Sequence, residues 1–376
     1  MRRFYIYLLL VSALTLMVGC QQGQSIEGGD VVVDLGSSEY GYIQFDFENG
    51  TRGDLYEKEN PNDPDDNRLY ADFGVMGYTY LANDWTIAEV QAQPTVFASH
   101  NQLVKWNGEY GTKAMHTYSP MREWQGKQKY AFFAYYPYGN DYVKTSAADY
   151  EGNPYIEFTL PSRSRVDNHV DVMTGYAIDA NYTSRTVGFH MQHRLTALDV
   201  TANNLFTEGQ KVVVTGLKIT LDSLLYDKVR IPLNDRDVSE LDYFAGMAEN
   251  ITATYDIYGG EPIEVVSGVE AKLTEPYAKS MIIIPQNQRI DTNGDGVEEG
   301  CTMKGTVTVS YTVISTVDGV QQEVQRTKDV TFSVDRDLKE RRHYFVQLNF
   351  SDGNVNIVIL ESDEWKDSER IDHEFE

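Results

Sequence analysis

The stretch Lys129–Tyr138, KYAFFAYYPY, limits what this chain can fold into more than any other. Eight aromatic or alanine side chains run from Tyr130 to Tyr136 and on to Tyr138. A half-buried strand alternates apolar with polar residues, and a surface helix shows an apolar stripe every three to four residues. This run does neither. It reads as a strand covered on both faces and stopped by Pro137, which has no N–H to give to a ladder. Something must pack on each side of it, and the rest of the chain offers strands rather than helices.

From Leu69 short strand-like runs follow at turn-separated intervals: Phe73–Tyr80, Thr95–Ala98, Gln102–Trp106, Lys113–Tyr118, Lys129–Tyr136 and Tyr155–Leu160, with Val170–Ile178 closing the first half. Asn181–Arg185 is polar and unpatterned, and the domain boundary is placed there. The texture then returns in Val187–Met191, Leu195–Ala202, Lys211–Leu221, Ile251–Tyr258 and Ser280–Ile284. Gly305–Ile314, Gln322–Val334, His343–Phe350 and Val355–Leu360 complete the series. Gly, Asn, Asp and Pro punctuate the runs, which is the spacing of a sandwich or barrel. The 26 tyrosines and 15 phenylalanines, beside 4 tryptophans, also favour strands. The best helix candidate is the short Val238–Glu249, and no fixed-period repeat marks a solenoid. At 376 residues the chain is too long for one ordinary core. The expectation is an all-β chain of two tandem β-sandwich domains, residues 40–184 and 185–376.

Ahead of the first domain, residues 1–19 carry Arg2 and Arg3 and then a short apolar run from Phe4 to Val18, the form of a signal peptide. That run is too short for a comfortable transmembrane helix. Met17-Val18-Gly19-Cys20 resembles a lipobox, and the resemblance implies cleavage before Cys20 and acylation of that residue; the alternative is an ordinary secretory signal with a chance cysteine. Residues 20–39 look like a flexible tether. Tyr40–Phe47 alternates, with Ile43, Phe45 and Phe47 on one face and Tyr42, Gln44 and Asp46 on the other, so it is a first strand. Asn49-Gly50 closes it, Arg52 follows in a polar stretch, and residues 57–68 form an acidic loop.

Thirty-two basic residues face 57 acidic ones, a formal charge of −25, which makes nucleic acid a poor partner. Of two cysteines, Cys20 and Cys301, only one thiol remains if Cys20 is acylated, so no intrachain disulfide forms. Asp291, Asn293, Asp295 and Gly296 open like a calcium loop, with ligands at positions one, three and five and a turn glycine at six. Position twelve, however, is Thr302, where a bidentate carboxylate is needed, and a hairpin turn uses the same residues. His190 and His193 suggest a metal pair, but a spacing of three on a strand sends them to opposite faces. No nucleophile elbow, zinc helix or phosphate-cradling loop is present, and the chain is not expected to be an enzyme. Trp85, Trp106 and Trp124 either line a carbohydrate platform or belong to the core.

An aromatic strand ending in AYYPY resembles the fimbrillins, pilin subunits and minor pilus components of Bacteroidetes. Further pieces are similar in family order. Asp171–Ala177 precedes FHMQHRLTAL (Phe189–Leu198), MIIIPQ (Met281–Gln286) follows, and HYFVQLNF (His343–Phe350) comes before a strand and Trp365. The resemblance implies two transthyretin-like, Greek-key sandwiches and a structural or adhesive role in a surface fimbria. It also implies an outer-membrane lipoprotein whose first strand is removed by an arginine-specific protease, with Arg52 in the corresponding place. The opened groove then takes a strand from another pilin subunit, drawn from its C-terminal segment. The rival reading is a surface glycan-binding lipoprotein of stacked sandwiches.

Overall fold

In a computed structural model the aromatic stretch is a strand, Lys129–Tyr136, whose six middle residues are all buried. The structure describes residues 40–361 except 48–68, 81–84, 86–94, 111–115, 127, 151–152, 162–168, 207–209, 225–226, 235–241, 244–250, 259–260, 274–279, 287–302, 335–337 and 352–353.

In chain order the strands of the first half are β1 (Gln44–Phe47), β2 (Phe73–Tyr80), β3 (Gln102–Trp106), β4 (His116–Thr117), β5 (Lys129–Tyr136), β6 (Val143–Thr145), β7 (Tyr155–Thr159) and β8 (Met173–Ala180). Then come β9 (Thr186–Phe189), β10 (Gln192–His193), β11 (Thr196–Asn204), β12 (Lys211–Leu224), β13 (Lys228–Pro232), β14 (Asp242–Tyr243) and β15 (Ile251–Tyr258). The last are β16 (Ile263–Val265), β17 (Ala271–Lys272), β18 (Met281–Ile283), β19 (Met303–Val317), β20 (Val320–Val334), β21 (Arg342–Ser351) and β22 (Asn354–Glu361). Most expected runs are strands within a few residues of their expected bounds. Thr95–Ala98 is not: Thr95 bridges Tyr78 and the chain then bends away. Within the expected helix, Asp242–Tyr243 is instead a strand held against Val229 and Arg230. The rest of that segment lies outside the described residues.

Sheet order explains why β5 has no polar relief. It sits inside a six-stranded sheet, β10-β8-β5-β2-β3-β4, bonded to β2 on one side and β8 on the other. Its side chains point alternately to two faces. Tyr130, Phe132 and Ala134 enter one aromatic core, shared with Ile43, Phe45, Phe73, Phe97, Trp124 and Phe189. Ala131, Phe133 and Tyr135 enter a second, larger core with Tyr78, Trp85, Ile156, Phe158, Val229 and Ile231. Gly74 and Gly77 on β2 are required by this crowding: a Cβ on Gly74 would lie 2.2 Å from the Tyr135 ring, and one on Gly77 2.9 Å from Phe132 and Phe97.

The larger core continues between two sheets of the second half, β17-β11-β21-β22 with β18 beside β11, and β15-β12-β19-β20 with β16 beside β12. Val307, Val309, Tyr311 and Val313 alternate inward along β19, and the Tyr311 ring meets Phe350 of β21 at 4.9 Å, centroid to centroid. A four-stranded sheet, β14-β13-β7-β6, joins strands from both halves of the sequence.

A belt of buried polar side chains ties neighbouring strands together. His193 Nδ1 lies 2.8 Å from Asp171. Arg194, fully buried, donates to Thr174 Oγ1 at 3.2 Å and reaches Glu340 at 3.3 Å. The Ile282 N–H donates to His169 Nδ1 at 2.8 Å. On β11, Asp199 is fully buried, with His343 of β21 at 3.1 Å and Lys272 of β17 at 3.3 Å. Burial pushes the Asp199 carboxyl up, but His343, Lys272 and Ser280 together hold it well below the usual carboxylate range.

Candidate functional site: the groove that holds the first strand

The first strand has the alternation of a half-buried strand, and the structure buries the apolar face. Ile43, Phe45 and Phe47 are at most 5% exposed, whereas Gln44 is exposed and Asp46 half-buried. What surrounds them comes entirely from later sequence. Phe45 is ringed by Phe132 (5.3 Å), Tyr118 (5.4 Å), Phe189 (5.6 Å) and Phe97 (6.3 Å). Phe47 meets Phe73 at 4.9 Å and His116 at 5.0 Å. Burying each such ring contributes about 1.5–3 kcal/mol, so a few residues fasten this segment firmly.

The backbone of the segment changes partner halfway. Gly41, at φ 77°, lets the chain turn in, and its carbonyl accepts from the Trp124 N–H at 3.1 Å. The Ile43 N–H donates to Arg122 O at 2.8 Å, and Tyr42 bridges Glu123 antiparallel. From Gln44 onward β1 pairs instead with β9, parallel, in register Gln44 with Thr186 through Phe47 with Phe189. The Tyr118 hydroxyl donates to Ile43 O at 3.0 Å and accepts from the Arg122 N–H at 3.2 Å, latching the crossing point. Burial pushes that phenol up to about 12. At the entrance Tyr40 meets Tyr182 edge-on at 5.2 Å.

Chemically this is a strand-binding groove. Its floor is aromatic, and its walls are two backbone edges, β9 and Arg122–Trp124. Among the described strands β9 pairs only with β1, so withdrawal of β1 would bare both an apolar trough and a row of peptide groups. A second chain with side chains at alternate positions could occupy it by strand addition.

Of the residues singled out from sequence, Cys20, Arg52, Asp291, Asn293 and Asp295 all lie outside the described residues. His190 is exposed and His193 is buried against Asp171, so the two histidines do not converge. Among the described residues no cluster of three or more His, Cys, Asp or Glu is placed to hold a metal ion. The three tryptophans do not share a face: Trp85 belongs to the larger core, Trp124 to the aromatic core, and Trp106 is half-buried beside Tyr70 and Tyr110. Sequence reasoning identified the inserted strand but missed its latch, Tyr118, and its second wall, Arg122–Trp124. Tyr118 was visible only as the end of a strand, and nothing in a short polar segment announces which backbone it will face.

A fimbrillin-like family model matches residues 85–358. The fold is similar to that of a fimbrial protein from Bacteroides vulgatus, with TM-score 0.56 and 19% identity, covering 78% of this chain and 93% of that one. A candidate cell adhesion protein from Bacteroides uniformis aligns at TM-score 0.47 and 14% identity, covering 86% of this chain and 99% of that one. No curated protein matches the sequence.

Proposed function

The chain belongs to the fimbrillin-like family, and from that premise we propose that it is a structural or adhesive subunit of a cell-surface fimbria, assembled by exchange of its first strand. In this reading the subunit is exported as a lipoprotein, acylated at Cys20 and held in the outer membrane. An arginine-specific protease cuts after Arg52, and Tyr40–Phe47 leaves with the lipid. A strand from a neighbouring copy then enters the groove. The role is structural, without a catalytic step.

One observation carries this reading. β1 and the residues just before it are fastened by side chains, by a ladder with β9 and by bonds to Arg122–Trp124, all outside the six-stranded sheet, so the segment can depart without dismantling that sheet. The sequence also contains a replacement of the right pattern. Ile371, His373 and Phe375 repeat, two residues apart, the order aliphatic, ring, phenylalanine set by Ile43, Phe45 and Phe47, with acidic residues between them. Entering parallel to β9, as β1 does, Phe375 would take the Phe47 position and His373 the Phe45 position.

The experiment compares wild type with Arg52→Ala in a cell that assembles such fimbriae. Wild type should yield a shortened chain and polymer ladders on gels, while the variant stays full-length and membrane-bound. Ladders undiminished in Arg52→Ala would overturn processing at this arginine.

A further inference from the structure

The longest hairpin among the described residues ends in solvent. β19 and β20 are each 15 residues long and pair without a register shift from Met303–Val334 to Val317–Val320. Asp318 and Gly319, at φ 54° and 78°, form the two-residue turn, matching the type I′ preference for Asp-Gly. β12 supports β19 only as far as Ile314, opposite Lys211, so the tip runs on alone. The first eight residues of β20 are all exposed. β22 reaches this strand at its base, where Lys328 donates to Asn354.

Two features of this arm are unusual for an exposed edge. First, valines recur on the face that continues the core's apolar face: Val313 stands opposite Val324, and Val317 opposite Val320, with Ser315 and Gln322 between them. Val317, Val320 and Val324 are 47%, 63% and 47% exposed. Second, neither proline nor a bulge interrupts β20. Its charges also cancel. Arg326 and Lys328 balance Glu323 and Asp329, in a chain whose formal charge is −25. Two such acidic copies can meet here without setting a net-charged edge against its like.

We propose that β20 is a self-association edge: two copies pair their arms antiparallel about a two-fold axis through Val324. The turn fixes which groups are free. Val320 bonds inward to Val317 across the turn, so by alternation Gln321, Glu323, Gln325 and Thr327 direct their N–H and C=O groups outward. A two-fold axis perpendicular to the sheet keeps both copies' valines on one face. With Val324 on the axis, Val324 faces its equivalent, Glu323 faces Gln325, and Gln322 faces Arg326, so no like charges stand directly opposite. This contact leaves the β1 groove untouched and adds a lateral association to any polymer built through it.

The test uses residues 21–376, which hold every described strand, with β1 in place. Light scattering up to about 100 μM should show a mass rising with concentration toward twice that of one chain. Gln325→Pro removes one outward N–H and should return the mass to that of one chain, with a melting temperature equal to wild type's at a dilution where both are monomers. Val324→Cys in a Cys301→Ser background should form an interchain disulfide under mild oxidation, because a non-hydrogen-bonded antiparallel pair holds its Cα atoms about 4.5 Å apart, within disulfide reach. Arg326→Cys, off the axis, should not. A single-chain mass throughout, or a dimer insensitive to Gln325→Pro, would overturn the proposal, as would equal cross-linking at the two positions.

Discussion

β1 and β20 each carry apolar residues on one face, at every second position in β1 and with Gln322, Arg326 and Lys328 interposed in β20, and the molecule treats them in opposite ways. β1 has four residues, and its apolar side chains are enclosed by rings from six places later in the sequence, the strands β2, β4, β5 and β9 and the residues Phe97 and Tyr118. β20 has fifteen residues, is paired to a strand two residues away, and is bare along its outer half. Alternation alone therefore does not decide burial. What decides it is whether distant elements converge on the strand. A strand enclosed by others and joined to them through one following segment can, once that segment is cut, be exchanged for one of the same pattern. A strand that depends only on its hairpin partner can gain a neighbour without losing anything.

The largest expected effect probes that contrast head-on. Phe45→Ala should lower the unfolding free energy by about 3–5 kcal/mol, as for a ring removed from a packed core. Val324→Ala, at a concentration where the chain is a monomer, should stay within about 0.5 kcal/mol of wild type. Denaturant titration measures both. Equal losses would erase the distinction between the two strands.

Next in size is acid sensitivity, which should reside in the buried belt and in neither strand. The folded-state pKa of Asp199 is depressed below the ordinary carboxylate value of 3.8 by its pairing with His343 and Lys272. Its contribution to stability is therefore complete above pH 3.8 and is lost as the pH falls below that, toward the folded value. The melting temperature of wild type should drop below pH 4, with a flatter acid limb in Asp199→Asn. Parallel acid limbs would show that other carboxylates dominate.

A smaller effect separates the two turns. Gly41 at the entrance to β1 and Gly319 at the arm's tip have nearly the same positive φ, 77° and 78°, and open space where a Cβ would stand. Alanine at either should cost about 1–2 kcal/mol of backbone strain. At Gly41 the loss should appear in hydrogen exchange across β1 and β9, and at Gly319 only in the arm. Exchange that spreads from Gly319→Ala to β9 would join regions held to be independent. Smallest of all is calcium: added calcium or chelator should leave the melting temperature unchanged, and Asp291→Ala with Asp295→Ala should alter nothing. A calcium-dependent rise that the double change abolishes would make the DTNGDG stretch a binding loop.

Much of the fold was legible. The doubly covered strand at Lys129–Tyr136 announced itself by lacking polar relief, and the inner face of β1 by strict alternation. The short strands Val143–Thr145, Lys228–Pro232 and Ile263–Val265 were not foreseen, because three to five residues give periodicity too little to work with. The buried belt was also missed as such. Asp171, His193, Arg194 and His343 lie within the stretches that carried the family resemblance, and the structure places those stretches on paired strands: β8 with β10, and β11 with both β18 and β21. Sequence order preserved the pieces, but only tertiary contact shows why polar residues recur in them.

The central claim is that β1 is a provisional occupant of its groove. Mass spectrometry of the chain recovered from assembled surface fimbriae tests it most directly, by reading the N-terminus. A chain beginning at Gly53, without Tyr40–Phe47 and without Cys20, is the predicted result. An acylated N-terminus at Cys20, with β1 retained in the mature polymer, would contradict it.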